Sequence, residues 1–595
     1  MKREIRSSAI VSTAAVGAIV DVGRESFLTP GIHQWFSHQL EVLHLPRISN
    51  RLGKILKKLR DDNPYQKTER FPRALFCESC RGISRWRAAY EEENEEAKCP
   101  KCSKRGGMVP MRYVLACKNG HVTDFPWRYW AHSGERADKG CRSEDHLRFE
   151  VDPTMSSNLD ALIVKCTLCG SRRSLEGISS PAATAAITGK CPGRHPWKSQ
   201  PDDCDDERPQ ALQRGAANLY YPSTISALDI PARDGGDSAD GSLFEASIRA
   251  HGLFATIKKF SRNADGGMGG ILTELRQQIA ADVGCSEDIV ASVLRADVDG
   301  DDQEKETAQL PELEQDQLLR EELSVLSEAC RSGRLETANF VAFREELPEN
   351  GPQWVRRLVG SVLLVERLRE VRVFRGFNRI SPSDRDRMVA PDAGGSANWL
   401  PAAENFGEGI FFALNAKLIG DWAQRLPEDE RKSIADLERH RSEENFWFLP
   451  PVDAPLLAMH SFSHLLLRQL SFECGYAPSA LRERLYLDRS AGELGLLLYT
   501  SEGDADGSLG GLVRQGRGDR IVRTIADAIE SGRWCSADPV CSETAGQGLG
   551  GLNRAACHAC VLVPETSCVL ANSLLDRRFL VDEEWGLVSF AGGSA

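Results

Sequence analysis

Long apolar runs are missing from this chain of 595 residues, and none approaches the ~18 to 20 residues that a membrane-spanning helix needs. No Gly-x-x-x-x-Gly-Lys-Ser/Thr loop occurs either. The nearest candidates, "GGMGGILTEL" and "GSLGGLVRQG", lack the lysine that holds phosphates, so the chain is not expected to hydrolyse ATP by itself. No histidine is followed two positions later by glutamate, which argues against zinc deaminases. Positive charge is in deficit: 74 Lys and Arg face 86 Asp and Glu, a net charge of -12. Each four-thiolate zinc site would add about two negative charges. A globally basic nucleic-acid binder is thereby excluded, and any phosphate contact must come from local patches. No repeat of fixed period is visible.

The opening "MKREIRSSAIVSTAAVGAIVD" resembles a secretory signal, but Ser12 and Thr13 interrupt its apolar stretch and Asp21 closes it. It reads as a folded segment. The length exceeds what one hydrophobic core supports, so several domains are expected.

What the sequence does have is cysteine, 18 in all, including four Cys-x-x-Cys pairs. Such pairs are typical of metal clamps in the reducing cytoplasm and atypical of disulfide frameworks. "CESC" (Cys77, Cys80) and "CPKC" (Cys99, Cys102) are separated by eighteen residues and supply four thiolates to a tetrahedral zinc ion. "CTLC" (Cys166, Cys169) has Cys191 and Cys204 available downstream, with His195 as an alternative ligand. Between these pairs, Cys117, His121, His132 and Cys141 suit a Cys2His2 site. At the other end, Cys557 and Cys560 form a knuckle that Cys541 and Cys568 complete, leaving Cys535 spare. A closed four-cysteine site leaves no coordination position for water, so this clamp folds the chain and catalyses nothing. Zinc is the expected cofactor, at least two ions and up to four.

Other patterns read as structural. His460 and His464 in "HSFSH" have the i, i+4 spacing of metalloproteases but lack the glutamate after the first histidine, so they read as helix packing. "YTSEGDADGSLGGLV" fails the EF-hand spacing and reads as a tight loop.

Along the chain, residues 1–70 form an N-terminal segment in which Arg47, Arg51, Lys54 and Lys58 lie at helical spacing, a candidate phosphate-contacting face. Residues 71–215 are a zinc-ribbon cluster with interleaved aromatic and basic residues. Among them Arg85, Trp86 and Arg87 combine charge with a stacking surface, as single-strand binders do, although Trp86 could equally cover the ribbon core. Residues 216–300 are a mixed region. An acidic connector and helical region follows over 301–444, with helical patterning continuing through "LLVERLREVRVFRGFNRI". From 445 to 595 an apolar helix capped by Gly475 precedes a second helix and the buried strand "ELGLLLYTS". The fold class is mixed α/β and multidomain: N-terminal zinc-ribbon modules, a helical middle and a C-terminal α/β zinc-binding domain.

The string "MHSFSHLLLRQLSFECGYAPSALRERLY", with "LYTSEGDADGSLGGLV", "CSADPVCSE", "ACHACVLVPETSC" and "NSLLDRRFL", resembles the zinc-binding domain appended to or encoded beside bacterial DNA helicases, MrfA-like. That family's cysteines fall on Cys541, Cys557, Cys560 and Cys568. Through "STAAVGAIVD", "CKNGHVTDFPW", "REVRVFRGFNRI" and "ENFGEGIFFAL" the whole chain is similar to the DrmB family, the helicase-partner subunits of DISARM antiphage systems. The resemblance implies a cytoplasmic, non-catalytic subunit that pairs with a superfamily 2 helicase (DrmA-like) and assists its engagement of DNA, with a single-stranded portion and no membrane. The competing readings are an independent zinc-dependent nuclease or deaminase and a zinc-ribbon transcription factor.

Overall fold

The computed structural model describes residues 7–593 apart from 63–65, 93–94, 135–139, 156–157, 207, 232–247, 250, 252, 263–268, 284, 300–310, 350, 383–384, 393–396, 445 and 501–509. The first half of the acidic connector and the whole of "SEGDADGSL", residues 501–509, lie outside the described residues. No described helix is long and apolar enough to cross a membrane.

A nine-stranded sheet organises the chain. Its strands are β1 (Leu40–Val42), β2 (Ile55–Leu59), β3 (Tyr221–Leu228), β4 (Arg334–Glu336), β5 (Val341–Glu345), β6 (Val359–Asn378), β7 (Trp399–Leu414), β8 (Leu481–Asp488) and β9 (Glu493–Thr500). The order β4-β5-β6-β7-β9-β8 is antiparallel; β3 adds to β6, and β2 runs parallel to β7 and carries β1. Segments 1–70, 216–300, 301–444 and 445–595 therefore all contribute to one sheet.

Side chains alternate across a strand, and here both faces are apolar. Val362, Leu364, Ile410, Phe412, Leu496 and Leu498 face one core, while Leu363, Val365, Phe411 and Leu497 face another. Helices α3 (Ala416–Gln424), α4 (Glu428–Glu443) and α5 (Ala454–Cys474) cover the first face. Helix α5 is buried along most of its length, on its apolar side and also on the side that carries His460, Ser463 and His464, as a helix inside a large core is. Asp453 caps its N-terminus by accepting from Leu456 N at 2.9 Å, and Gly475 ends it at φ 73°. Helix α2 (Pro311–Ser332) covers the second face through a buried polar joint: Glu322 accepts from Arg484 Nε at 2.7 Å, Tyr486 Oη at 3.0 Å and Leu228 N at 2.9 Å. The carboxylate thus enters the core paired and fully hydrogen-bonded.

Three local expectations are corrected. "LLVERLREVRVFRGFN" is strand, not helix: the alternating Val362, Leu364 and Val371, Val373 pack on the sheet, and a register shift between Val365 and Leu368 imitates helical charge spacing. The second helix expected after Gly475 is strand β8, paired residue for residue with β9. The basic helix ends early as α1 (Pro46–Leu52), because Gly53 turns left-handed at φ 58°, and Lys54 and Lys58 fall beyond it.

The N-terminal region is made of small three-stranded sheets: Ala74–Cys77 with Ile83–Arg85 and Met108–Pro110; Tyr113–Ala116 with Val122–Asp124 and Gln210–Gln213; Leu147–Val151 with Leu162–Cys166 and Arg172–Ser174. From Ser7 onward the opening segment is folded, with Val11, Ala15 and Val16 buried. Arg379 ties these parts to the central sheet. Fully buried, it donates to Gly17 O at 2.7 Å, Gly120 O at 3.0 Å and Leu219 O at 2.8 Å, and burial pulls its pKa down to about 10. Three of the sequence stretches that carried the family resemblance, around Gly17, Gly120 and Arg379, meet at this side chain. Gly17 has no room for a Cβ, which would lie 2.4 Å from Phe377 Cε1.

Candidate metal centres

In each of four clusters the donor atoms lie within 4.8 Å of one another. The first is Cys77, Cys80, Cys99 and Cys102, at the mouth of the sheet that begins with Ala74–Cys77. Cys77 Sγ is 3.9 Å from Cys102 Sγ, and Cys80 Sγ is 3.7 Å from Cys99 Sγ. The knuckle amides turn inward: Ser79 N and Cys80 N donate to Cys77 Sγ at 3.3 and 3.4 Å, and Lys101 N donates to Cys99 Sγ at 3.3 Å. Such amides favour thiolate. The Gly106 amide brings Cys102 down to about 7, while burial pushes Cys99 up to about 12.

The second cluster is Cys117, His121, Cys191 and Cys204. His121 Nδ1 lies 3.3 Å from Cys117 Sγ, and its Nε2 lies 3.4 Å from Asp202 Oδ2. A carboxylate behind a ligating imidazole fixes its tautomer and orientation. The third is His132, Cys141, Cys166 and Cys169, with His132 Nε2 3.3 Å from Cys169 Sγ and its Nδ1 2.7 Å from Arg128 O. Burial pushes the Cys169 thiol up, but Ser171 and the neighbouring thiols outweigh it and bring it down to about 6.

These two centres exchange halves relative to the sequence reading. Cys117 and His121 do not join His132 and Cys141, and Cys166 and Cys169 do not join Cys191 and Cys204. Strand pairing decides it. Tyr113–Ala116 pairs with Gln210–Gln213, which draws Cys117 to the segment containing Cys204. The helix Trp127–Ala131 packs against the sheet of Leu162–Cys166, with Trp130 Nε1 donating to Ser174 O at 3.1 Å, which delivers His132 to Cys169. His195 is outside the donor set. It stacks between His121 and Trp197, with centroids 4.7 and 4.8 Å away, and burial lowers its pKa to about 3.

The fourth cluster is Cys535, Cys541, Cys557 and Cys560. Cys535 Sγ is 3.5 Å from Cys557 Sγ, and Cys541 Sγ is 3.8 Å from Cys560 Sγ. Cys535, expected to be spare, takes the place expected of Cys568. Arg577 holds it there by pairing with Asp538 at 2.6 Å, while Asp538 accepts from Cys535 N at 3.1 Å. Cys568 faces His460 instead, at 3.2 Å. The signal for Cys535 was its six-residue spacing from Cys541, which no Cys-x-x-Cys pattern marks.

The basic candidates are mostly engaged within the fold. Arg47 donates to Leu228 O at 2.8 Å and pairs with Glu321 at 3.1 Å, and Arg51 pairs with the same glutamate. Lys54 bonds Ala397 O, and Lys58 pairs with Glu404 at 2.6 Å and Glu41 at 3.0 Å. Arg47 and Arg51 on α1 thus share one glutamate, while Lys54 and Lys58 lie beyond the end of that helix, so the four do not line one helical face. Trp86 donates to Glu91 at 2.7 Å and packs on the first cysteine cluster, whereas Arg85 and Arg87 are exposed beside it.

Tetrahedral sets of thiolate and imidazole suit zinc, and soft sulfur donors disfavour magnesium and calcium. Such donor sets, placed in ribbons and on a mixed α/β body, define a protein with several structural zinc centres. Residues 462–561 match the model of the MrfA Zn-binding domain, and residues 6–221 match that of a domain of unknown function, DUF8724. The chain is also 32% identical, over 499 residues, to the DISARM protein DrmB of Bacillus paralicheniformis, an alignment covering 81% of this chain and 82% of the relative. It belongs to the DrmB family.

Proposed function

We propose that this chain is the non-catalytic zinc-binding subunit of a DISARM antiphage complex in the bacterial cytoplasm, pairing with a separate superfamily 2 DNA helicase and helping it hold DNA that has a single-stranded portion. Kinship with DISARM protein DrmB across four-fifths of both chains carries the reading. The missing phosphate loop supports a motor located on another chain. The four-donor clusters support a folding role, because each offers a complete tetrahedral set. In this reading 71–215 is the metal-bearing module that approaches DNA, with Arg85 and Arg87 exposed, and 445–595 docks the helicase. Trp534 and Val540, 73% and 72% exposed beside the C-terminal cysteines, offer that partner apolar surface.

The test is DNA binding and ATP turnover by a superfamily 2 DNA helicase of a DISARM system, with and without this chain. The chain alone should turn over no ATP and should tighten the helicase's hold on DNA. Equal affinities at every salt concentration, or ATP hydrolysis by this chain alone, would reject the proposal.

A further inference from the structure

Helix α5 was expected to use His460 and His464 only for packing. Both are fully buried, and their Nδ1 atoms face backbone carbonyls, Leu574 O at 3.2 Å and Val561 O at 3.1 Å. Donation from Nδ1 leaves the Nε2 lone pair of each ring pointing the other way, the arrangement that orients metal-ligating histidines. The two Nε2 atoms converge on Glu483 Oε1, at 3.2 and 3.5 Å, and His460 Nε2 is also 3.2 Å from Cys568 Sγ. The four donor atoms lie within 4.8 Å of one another.

The supporting bonds resemble those around the cysteine centres. Leu570 N and Asn572 N both donate to Cys568 Sγ at 3.3 Å, as knuckle amides do to a metal thiolate. Glu483 accepts from Val569 N at 3.1 Å and from Ser463 Oγ, which aims its carboxylate at the histidines. One atom stays unsatisfied: His464 Nε2 is buried and makes no hydrogen bond. A polar atom left without a partner in a core forfeits its hydration and gains nothing in return, so a ligand for it is physically warranted.

We infer that His460, His464, Glu483 and Cys568 form a further zinc site, distinct from the Cys535 centre and joined to it by the segment 560–568. Two neutral imidazoles, one carboxylate and one thiolate make a tetrahedral N2OS set that cancels the ion's two positive charges, which suits a buried position. Glu483 and Cys568 border a cleft of about 680 Å³ that also reaches Arg482, Arg484 and Trp447, giving the ion a path in. The ion would pin α5, β8 and the 568–574 segment together, none of which contributes to the Cys535 centre. The inference does not depend on the helicase reading, since occupancy of the site needs neither partner nor DNA.

Diffraction from the unmodified full-length protein, purified without chelator, tests it with anomalous data on either side of the zinc absorption edge. A peak among the four donor atoms is expected. Density at the Cys535 centre with none at His460 would overturn it. Zinc content gives the second reading: Glu483→Gln and Cys568→Ser should each lose one zinc per chain while keeping the Cys535 centre filled. Folded variants that retain the zinc content of the unmodified chain would also overturn it.

Discussion

The N-terminal and C-terminal metal regions rest on very different amounts of apolar packing. Around the first centre the buried cluster is Leu75, Cys77, Ala97, Cys99 and Met108, and the thiols of the second, Cys117, Cys191 and Cys204, pack chiefly on one another at the edge of the core that holds Ala116, Val122 and Trp197. Sets this small contribute little against the conformational entropy of ordering the cysteine loops, so the ion supplies much of the free energy that orders them. Cys535, Cys541 and Cys560 instead sit at the margin of the largest core, among residues of α5 and of helix α6 (Asp519–Gly532), which packs on α5. There the ion adds to a structure that burial already favours. Where the core is small, zinc decides whether the module folds; where it is large, zinc fixes how the surface is shaped.

The largest expected effect follows from this contrast. Cys191→Ser should release one zinc per chain and unfold the module around the second centre, since structural zinc contributes roughly 10 kcal/mol or more in small zinc peptides. Limited proteolysis should then cut within 71–215 while the 445–595 region stays resistant. Chelation should do the same to the unmodified chain. Equal resistance of both regions after chelation would remove the contrast.

Cys535→Ser comes next, at roughly 3–5 kcal/mol, by analogy with a buried ion pair that loses one partner. Its cost should equal that of Cys557→Ser, because both are ligands of one centre, and far-UV circular dichroism should stay near that of the unmodified chain. A silent Cys535→Ser would return this cysteine to the spare role the sequence suggested.

Arg379→Leu sharpens the comparison at the joint between the regions. It leaves Gly17 O, Gly120 O and Leu219 O without their donor. Buried acceptors that lose a partner cost about 1–3 kcal/mol each, and partial relaxation should bring the sum to about 3 kcal/mol. Thermal unfolding should separate into two transitions as the N-terminal region uncouples. A single unshifted transition would show that the regions are held together elsewhere.

Much of this was legible because zinc knuckles are local. Cys77, Cys80, Cys99 and Cys102 announce their own grouping through spacing, and so did Cys557 with Cys560. The pairing of the second and third centres was not, because strand partners nearly a hundred residues apart, Tyr113–Ala116 and Gln210–Gln213, choose which half-site meets which. His460 and His464 showed their spacing but not their company, since Glu483 lies on a strand and Cys568 in a loop. The long strand β6 was hidden by charges that a register shift turns to either side. The basic stretch from Arg47 to Lys58 failed as a face at one residue, Gly53, whose left-handed backbone ends the helix.

The smallest effect concerns which basic residues meet phosphate, and it tests the N-terminal region against its own interior. Arg47, Arg51 and Lys58 already have carboxylate partners, and Lys54 a backbone carbonyl, so moving them to a phosphate means giving up a bond of similar strength. Arg85 and Arg87 are exposed on the first ribbon, where a strand could displace only water and counterions. Each phosphate a cation neutralises changes the logarithmic salt slope of binding by roughly 0.7 to 0.9. In the complex with the helicase, the Arg85→Ala, Arg87→Ala double variant should lower the slope by about 1.5, and Arg51→Ala should leave it unchanged. Filter binding across a salt series reads both. A slope that falls for Arg51→Ala and not for the ribbon pair would move the DNA path from the first cysteine ribbon to the edge of the central sheet.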